Sequence, residues 1–195
     1  YWIDSFRFNP DILVLKYKKS KNETINVLFD VSNKEFIPIP TELSNPRTVT
    51  FTSVLSLAIL SQYDATTELY TYYSWDFQQN LFTKIGEGNK DLENITNDGS
   101  FFVFNNPMLH CTYAFNCQTR EIFEIPWINK SMKWSLWPET KRLYCCYGMD
   151  TWYNDLQNVF GRPYIEILQL ENMKKDKIEF PIRNGELYQE KLVFH

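Results

Sequence analysis

FDVSNKEFIPIP at 29–40, WDFQQNLFTKIG at 75–86 and FNCQTREIFEIP at 115–126 are three versions of one twelve-residue phrase. Each opens on an aromatic residue followed by Asp or Asn: Phe29-Asp30, Trp75-Asp76 and Phe115-Asn116. Each then passes through a polar turn and closes in a short apolar run with Ile at its eleventh position. Asp and Asn favour turns because their side chains bond nearby backbone amides, so each copy reads as a β-hairpin. A looser fourth copy, LQLENMKKDKIEFP, begins at Leu168. The starts at 29, 75, 115 and 168 lie 46, 40 and 53 residues apart, a spacing that fits one four-stranded unit of a repeat architecture.

The residues before each hairpin supply two more strands. SFRFNP turns at Asn9, Pro10 and Asp11 into DILVLKY and INVLFDV; TVTFTSV leads to LSLAILSQY and ELYTYYSWDF. ENITNDGS turns at Asn97, Asp98 and Gly99 into FFVFNN and LHCTYAFN; MKWSLWPET turns at Pro138 into RLYCCYGM and PYIEILQLE. The second strand of a unit, as at Leu55–Leu60 and Ser100–Phe104, is apolar on both parities. That pattern belongs to a strand covered on both faces. No segment combines a 3.6-residue period with helix formers and a cap as well as these alternations fit strands.

Composition agrees. The 195 residues include 15 Phe, 12 Tyr and 6 Trp against only 6 Gly, a strand-favouring mixture. With 44% hydrophobic and 23% charged residues the chain has material for a core. A net charge of -4 counts against a general polyanion binder. No apolar run approaches the length of a membrane span; the chain opens at Tyr1 with no initiator Met and no signal-peptide pattern, so its natural start is expected to be removed or upstream. Cys111 and Cys117 sit too far apart in one extended stretch to pair, and Cys145 and Cys146 point to opposite faces of a strand. Reduced cysteines in a nuclear or cytoplasmic protein are therefore expected. The sequons at Asn22, Asn94 and Asn129 occur about as often as the composition predicts by chance.

This order of strands resembles a divergent WD-repeat β-propeller. Trp75-Asp76 looks like the family's dipeptide at the end of the third strand, with Phe29-Asp30 and Phe115-Asn116 as degraded forms. FRFNPDILVL at 6–15 and ITNDGSFFVF at 95–104 resemble its first turn. The family's Gly-His dipeptide is missing, with Gly88-Asn89 its nearest trace, so other propeller families such as kelch stay open. The resemblance implies an all-β fold of four-stranded antiparallel blades at approximately 1–40, 47–87, 93–126 and 132–182. The segment 187–195 reads as the first strand of a next blade or a ring-closing strand. Four blades are about half of the seven or eight with which this family closes a ring, so the rest is expected from the same longer chain or a partner chain. A compact four-bladed ring is the alternative.

Candidate chemistry is sparse. His110 and Cys111 are strand neighbours and face opposite sides. His110, Cys117, Cys145 and Cys146 match no zinc spacing. A sialidase-type Asp box would need Gly and Thr where Gln78 and Asn80 stand. Carboxylates converging on a channel, as glycosidases require, would have to come from Asp4, Asp98 and Glu139, all at turns or strand entries. No Gly-rich phosphate loop is present. No metal, no cofactor and no catalytic activity are expected.

Lys16, Lys18, Lys19 and Lys21, and Lys174, Lys175 and Lys177, form two basic runs expected in hairpin connections. They leave nucleic acid binding open without favouring it. The segment GMDTWYNDLQNVFGR at 148–162 lengthens the fourth period and carries Trp152, Tyr153 and Phe160, aromatic types enriched at binding hot spots. Trp127, Trp134 and Trp137 cluster similarly in the connection from the third to the fourth blade. The expected role is a non-catalytic scaffold or adaptor subunit that presents these residues to other protein subunits.

Overall fold

The computed structural model describes residues 2–5, 11–18, 24–39, 48–92, 94–127, 133–147 and 164–179. They form fifteen strands in four antiparallel sheets, a β-propeller arrangement. The first sheet runs β1 (Trp2–Ser5), β2 (Ile12–Lys18), β3 (Thr24–Asp30) and β4 (Glu35–Ile37), in sequence order. The second runs β5 (Thr48–Phe51), β6 (Leu57–Asp64), β7 (Leu69–Asp76) and β8 (Leu81–Gly88). The third has β9 (Phe101–Asn106), β10 (Cys111–Asn116) and β11 (Ile122–Pro126). The fourth has β12 (Ser135–Trp137), β13 (Arg142–Tyr147), β14 (Tyr164–Gln169) and β15 (Lys174–Glu179). Among the described residues there is no helix, and so none long and apolar enough to cross a membrane.

The third sheet departs from the expected four strands. Its first position is reduced to a single bridge from Ile95 to Phe102. Thr96 turns the chain at once, its buried hydroxyl accepting from the Phe101 amide at 3.0 Å and donating to Asp98 at 2.8 Å. Thr52 is the same residue one unit earlier, buried and bonded to the Leu57 carbonyl at 3.1 Å. That turn also moves the start of the second strand from Leu55 to Leu57 and leaves Leu55 exposed.

The repeated phrase has a physical basis. Asp76 Oδ1 accepts from the amides of Gln78 and Gln79, Asn116 Oδ1 from Gln118 and Thr119, and Asp30 Oδ1 from Asn33. The sixth residue of each copy, Lys34, Asn80 or Arg120, has left-handed backbone with φ of 58°, 50° and 64°. Such a conformation costs about 1–2 kcal/mol for a non-glycine residue, and the capped amides offset it. One more bond recurs in all four sheets. The residue just after the third strand donates to the carbonyl just before the second: Val31 to Asp11, Phe77 to Ser56, Cys117 to Ser100 and Leu170 to Lys141.

Three cores lie between consecutive sheets. Ile12, Val14 and Leu28 meet Ala58, Leu60 and Trp75; Leu57, Ile59 and Tyr72 meet Phe102, Phe104 and Phe115; Phe101, Val103 and Ala114 meet Trp134, Leu143 and Leu168. Alternate residues of β6 and of β9 thus serve opposite neighbours, which is why their sequences are apolar on both parities. The outer strands β4, β11 and β15 are mostly exposed. Lys174, Lys175 and Lys177 lie on β15, and Lys16 and Lys18 on β2, rather than in the hairpin connections expected for them. Strand pairing extends through Lys174–Lys177 because an outer strand needs few apolar residues, and through Lys16 and Lys18 because β2 continues its ladder to Thr24 of β3.

Candidate interaction surface

The blades end in two rims of different character. One carries the turns from first to second and from third to fourth strands. Polar pairs bind it together. The Ser53 amide donates to the Gly99 carbonyl and the Asn97 amide to the Pro138 carbonyl, linking the turns of consecutive sheets. Arg120 of the third sheet holds Asp76 Oδ2 of the second in an ion pair. Lys141 Nζ sits 2.8 Å from Asp98 Oδ2 and 2.7 Å from Glu171 Oε1. Burial raises the Asp98 carboxyl pKa, but Lys141, Ser100 and Thr96 outweigh that and hold it well below the ordinary range.

The opposite rim carries the turns from second to third strands. In the second sheet this turn, Ala65–Glu68, is polar, with Asp64 accepting from the Thr66 amide at 2.8 Å. In the third sheet it is Pro107-Met108-Leu109-His110, where Met108 is 76% and Leu109 61% exposed. The tip is nevertheless fixed. Asn106 Oδ1 accepts from the amides of Met108 at 3.0 Å and Leu109 at 3.1 Å. His110 is left-handed, and its carbonyl accepts from the Trp127 amide. Its ring lies against the Trp127 indole with centroids 5.6 Å apart. Trp127 Nε1 in turn donates to Thr112 Oγ1 at 2.9 Å. Tyr63 and Tyr70, with rings 5.0 Å apart, bring aromatic surface to the same rim from the second sheet. A preformed turn that presents two apolar side chains loses little backbone freedom on docking.

The expected contact residues have different fates. Trp134 is buried between the third and fourth sheets, with Nε1 donating to the Pro126 carbonyl at 3.2 Å and Lys175 Nζ 5.7 Å from the ring. Trp137 is half-buried at the end of β12. Trp152, Tyr153 and Phe160 lie outside the described residues, as do Lys19 and Lys21. Tyr147 and Tyr164, which bracket that segment, end β13 and begin β14. By strand order this connection is the fourth-sheet counterpart of the Pro107–His110 turn.

Leu109 escaped the sequence reading because LHCTYAFN, which begins with it, reads as one strand, and Met108 because it fell in the connection between FFVFNN and that strand. The Asn106-Pro107 dipeptide, a turn signal, was available. Among the other candidates, Lys174 pairs with Asp176 and Lys177 with Glu179, which offsets two of the three charges of the second basic run, while Lys175 lies over the Trp134 ring. Asp98 is engaged by Lys141, Thr96 and Ser100, while Glu139 is exposed in the neighbouring turn. No three His, Cys, Asp or Glu side chains among the described residues are grouped as a metal would require.

The fold is shared with known propellers. The chain matches the β-propeller domain of the trilobed protease from Pyrococcus furiosus at TM-score 0.53 and 13% identity, over 91% of its own length and 57% of that domain chain. Weaker likenesses include Porphyromonas gingivalis dipeptidyl peptidase 4, at TM-score 0.48, 10% identity, and 93% and 33% coverage. A chain of the mitotic checkpoint complex follows at TM-score 0.31, 9% identity, and 91% and 62% coverage. No family model and no curated protein matches the chain. The protein is thus a β-propeller by fold, spanning little more than half the length of the protease propeller. One expectation is corrected here: that the chain is not an enzyme. This propeller fold occurs as a domain of a protease, so the architecture gives no ground for setting catalysis aside.

Proposed function

We propose that the chain is a WD-like propeller module that binds other protein subunits through the rim bearing Met108 and Leu109, within a multiprotein assembly in a reducing compartment. The observation that carries this reading is the exposed Met108-Leu109 pair on a turn capped by Asn106 and braced by Trp127. Surface apolar pairs on rigid turns are the kind of anchor that dominates binding energy when desolvated. Cys111 and Cys117, placed too far apart in one extended stretch to bridge to each other, support the reducing compartment. Trp75-Asp76 in phase with two related copies supports the WD-like assignment.

Replacing Met108 and Leu109 together by Ser tests the proposal. Both side chains are exposed, so the thermal transition should stay within a few degrees of the parent. Affinity for proteins co-purified with the endogenous chain should fall by about 30-fold or more, the loss of one hot spot. Affinity within twofold of the parent refutes the assignment of this rim.

A further inference from the structure

The turn that carries the proposed rim holds its shape without the side chains it displays. Asn106 Oδ1 accepts from the amides of Met108 and Leu109, and the His110 carbonyl accepts from the Trp127 amide. Neither bond involves the Met108 thioether, which is the most exposed large apolar side chain among the described residues. The two tip residues differ in chemistry. Leu109 is an inert hydrocarbon, whereas the sulfur of a methionine has lone pairs that a peroxide oxidises. Met173, by contrast, is half-buried against the core between the third and fourth sheets. Cys111, Cys117 and Cys145 are buried, and burial pushes each thiol up, away from the thiolate that oxidants attack.

We propose that Met108 is an oxidation-sensitive contact, and that its conversion to the sulfoxide by hydrogen peroxide weakens the partner contact made by this rim. This regulation rests on the rim reading proposed above and extends it. In the step, a sulfur lone pair attacks one peroxide oxygen. The S–O bond forms, the O–O bond breaks, and the proton on the transferred oxygen passes to the departing hydroxide, which leaves as water. Sulfur is oxidised and the peroxide reduced by one electron pair. An apolar anchor thereby becomes a hydrogen-bond acceptor that water solvates, so burying it against an apolar partner surface costs desolvation with no compensating bond. The turn itself survives, because Asn106 caps backbone amides that oxidation leaves untouched. The change is reversible, since methionine sulfoxide is a substrate of dedicated reductases.

The test oxidises the native polypeptide with hydrogen peroxide at doses that leave its thermal transition unchanged, with Cys146→Ser removing the exposed thiol. Binding to the proteins co-purified with the endogenous chain is then measured. Peptide mass mapping should find oxygen added at Met108 about fivefold or more faster than at Met173. Affinity should fall about tenfold or more, and the epimer-specific methionine sulfoxide reductases should restore it. Met108→Leu keeps an apolar side chain but has no sulfur, so its affinity should be the same before and after peroxide. This variant separates Met108 from Met132 and Met149, which lie outside the described residues. An equal peroxide loss in parent and Met108→Leu overturns the inference, as does a loss that the reductases do not reverse. So does a fully oxidised Met108 that binds within about twofold of the untreated parent. If Met108→Ser with Leu109→Ser leaves affinity unchanged, the rim reading falls and the switch with it. If that pair weakens binding while oxidation of Met108 does not, the switch alone falls.

Discussion

Replacing Asp76 should expose how much the repeated Asp or Asn contributes. Its side chain is 2% exposed, and Oδ1 accepts two turn amides at 3.2 and 3.1 Å while Oδ2 holds Arg120. Asp76→Ala removes both acceptors, at about 1 kcal/mol each because the turn residues can turn to water. It also leaves Arg120 without its carboxylate. Breaking a fully buried pair costs about 3–5 kcal/mol, but Arg120 is 34% exposed, so about 1 kcal/mol is the fitting share. The total is about 3 kcal/mol. Asp76→Asn keeps the Oδ1 acceptor and loses only the charge, so about 1 kcal/mol is expected. Burial pushes the Asp76 carboxyl up, but the Gln79 amide and Arg120 prevail and leave it below its ordinary value. Its contribution is therefore full above the unfolded-chain carboxyl value of about 3.9 and is lost as pH falls through the lower folded value. Urea unfolding of parent, Asn and Ala proteins at pH 7 and again below pH 3 reads both effects. Equal losses for Asn and Ala, or a parent-to-Asn gap that persists undiminished in acid, would refute this account of the turn.

A Cβ at Gly88 would lie 2.7 Å from the Asn105 carbonyl oxygen of the next sheet, so Gly88→Ala should cost about 1–3 kcal/mol by overpacking, measured by urea midpoint. Phe102→Ala should cost about 3–5 kcal/mol, whereas Leu81→Ala, in a half-exposed position on an outer strand, should cost under about 0.5 kcal/mol. Burial pushes the Cys117 thiol up to about 12 and the Cys145 thiol to about 11. Alkylation of either at pH 8 should therefore follow global unfolding, and labelling that is independent of urea concentration would contradict the packing.

The hairpin phrase was legible because its chemistry is local: a side-chain acceptor, a left-handed sixth residue and a following strand recur within twelve positions. The double-sided burial of β6 and β9 was legible for the same reason, since Leu57–Leu60 and Phe101–Phe104 show it in their own composition. Other features depend on tertiary choices. Whether Ile95 starts a strand or makes a single bridge is decided by how soon Thr96 and Asp98 turn the chain. Trp134 is as aromatic as any contact residue, yet it fills the seam between two sheets. Met108 and Leu109 look like core residues until Asn106 places them on a turn. The basic run at Lys174–Lys177 resembles a loop because an outer strand carries little hydrophobic signal. Catalysis was beyond reach from the fold, since propellers carry their functions in loops and attached domains.

The central claim is that neighbouring positions of one sheet are buried by different sheets, as the blades of a propeller require. The most direct test is a nuclear Overhauser spectrum of protein labelled at its aromatic rings and methyl groups. Tyr72 should show contacts to the rings of Phe102 and Phe104, whose centroids lie 5.1 and 4.9 Å away, and Trp75 should contact methyls of Val14 and Leu28. Tyr72 and Trp75 reporting contacts to the same neighbouring sheet would contradict the account.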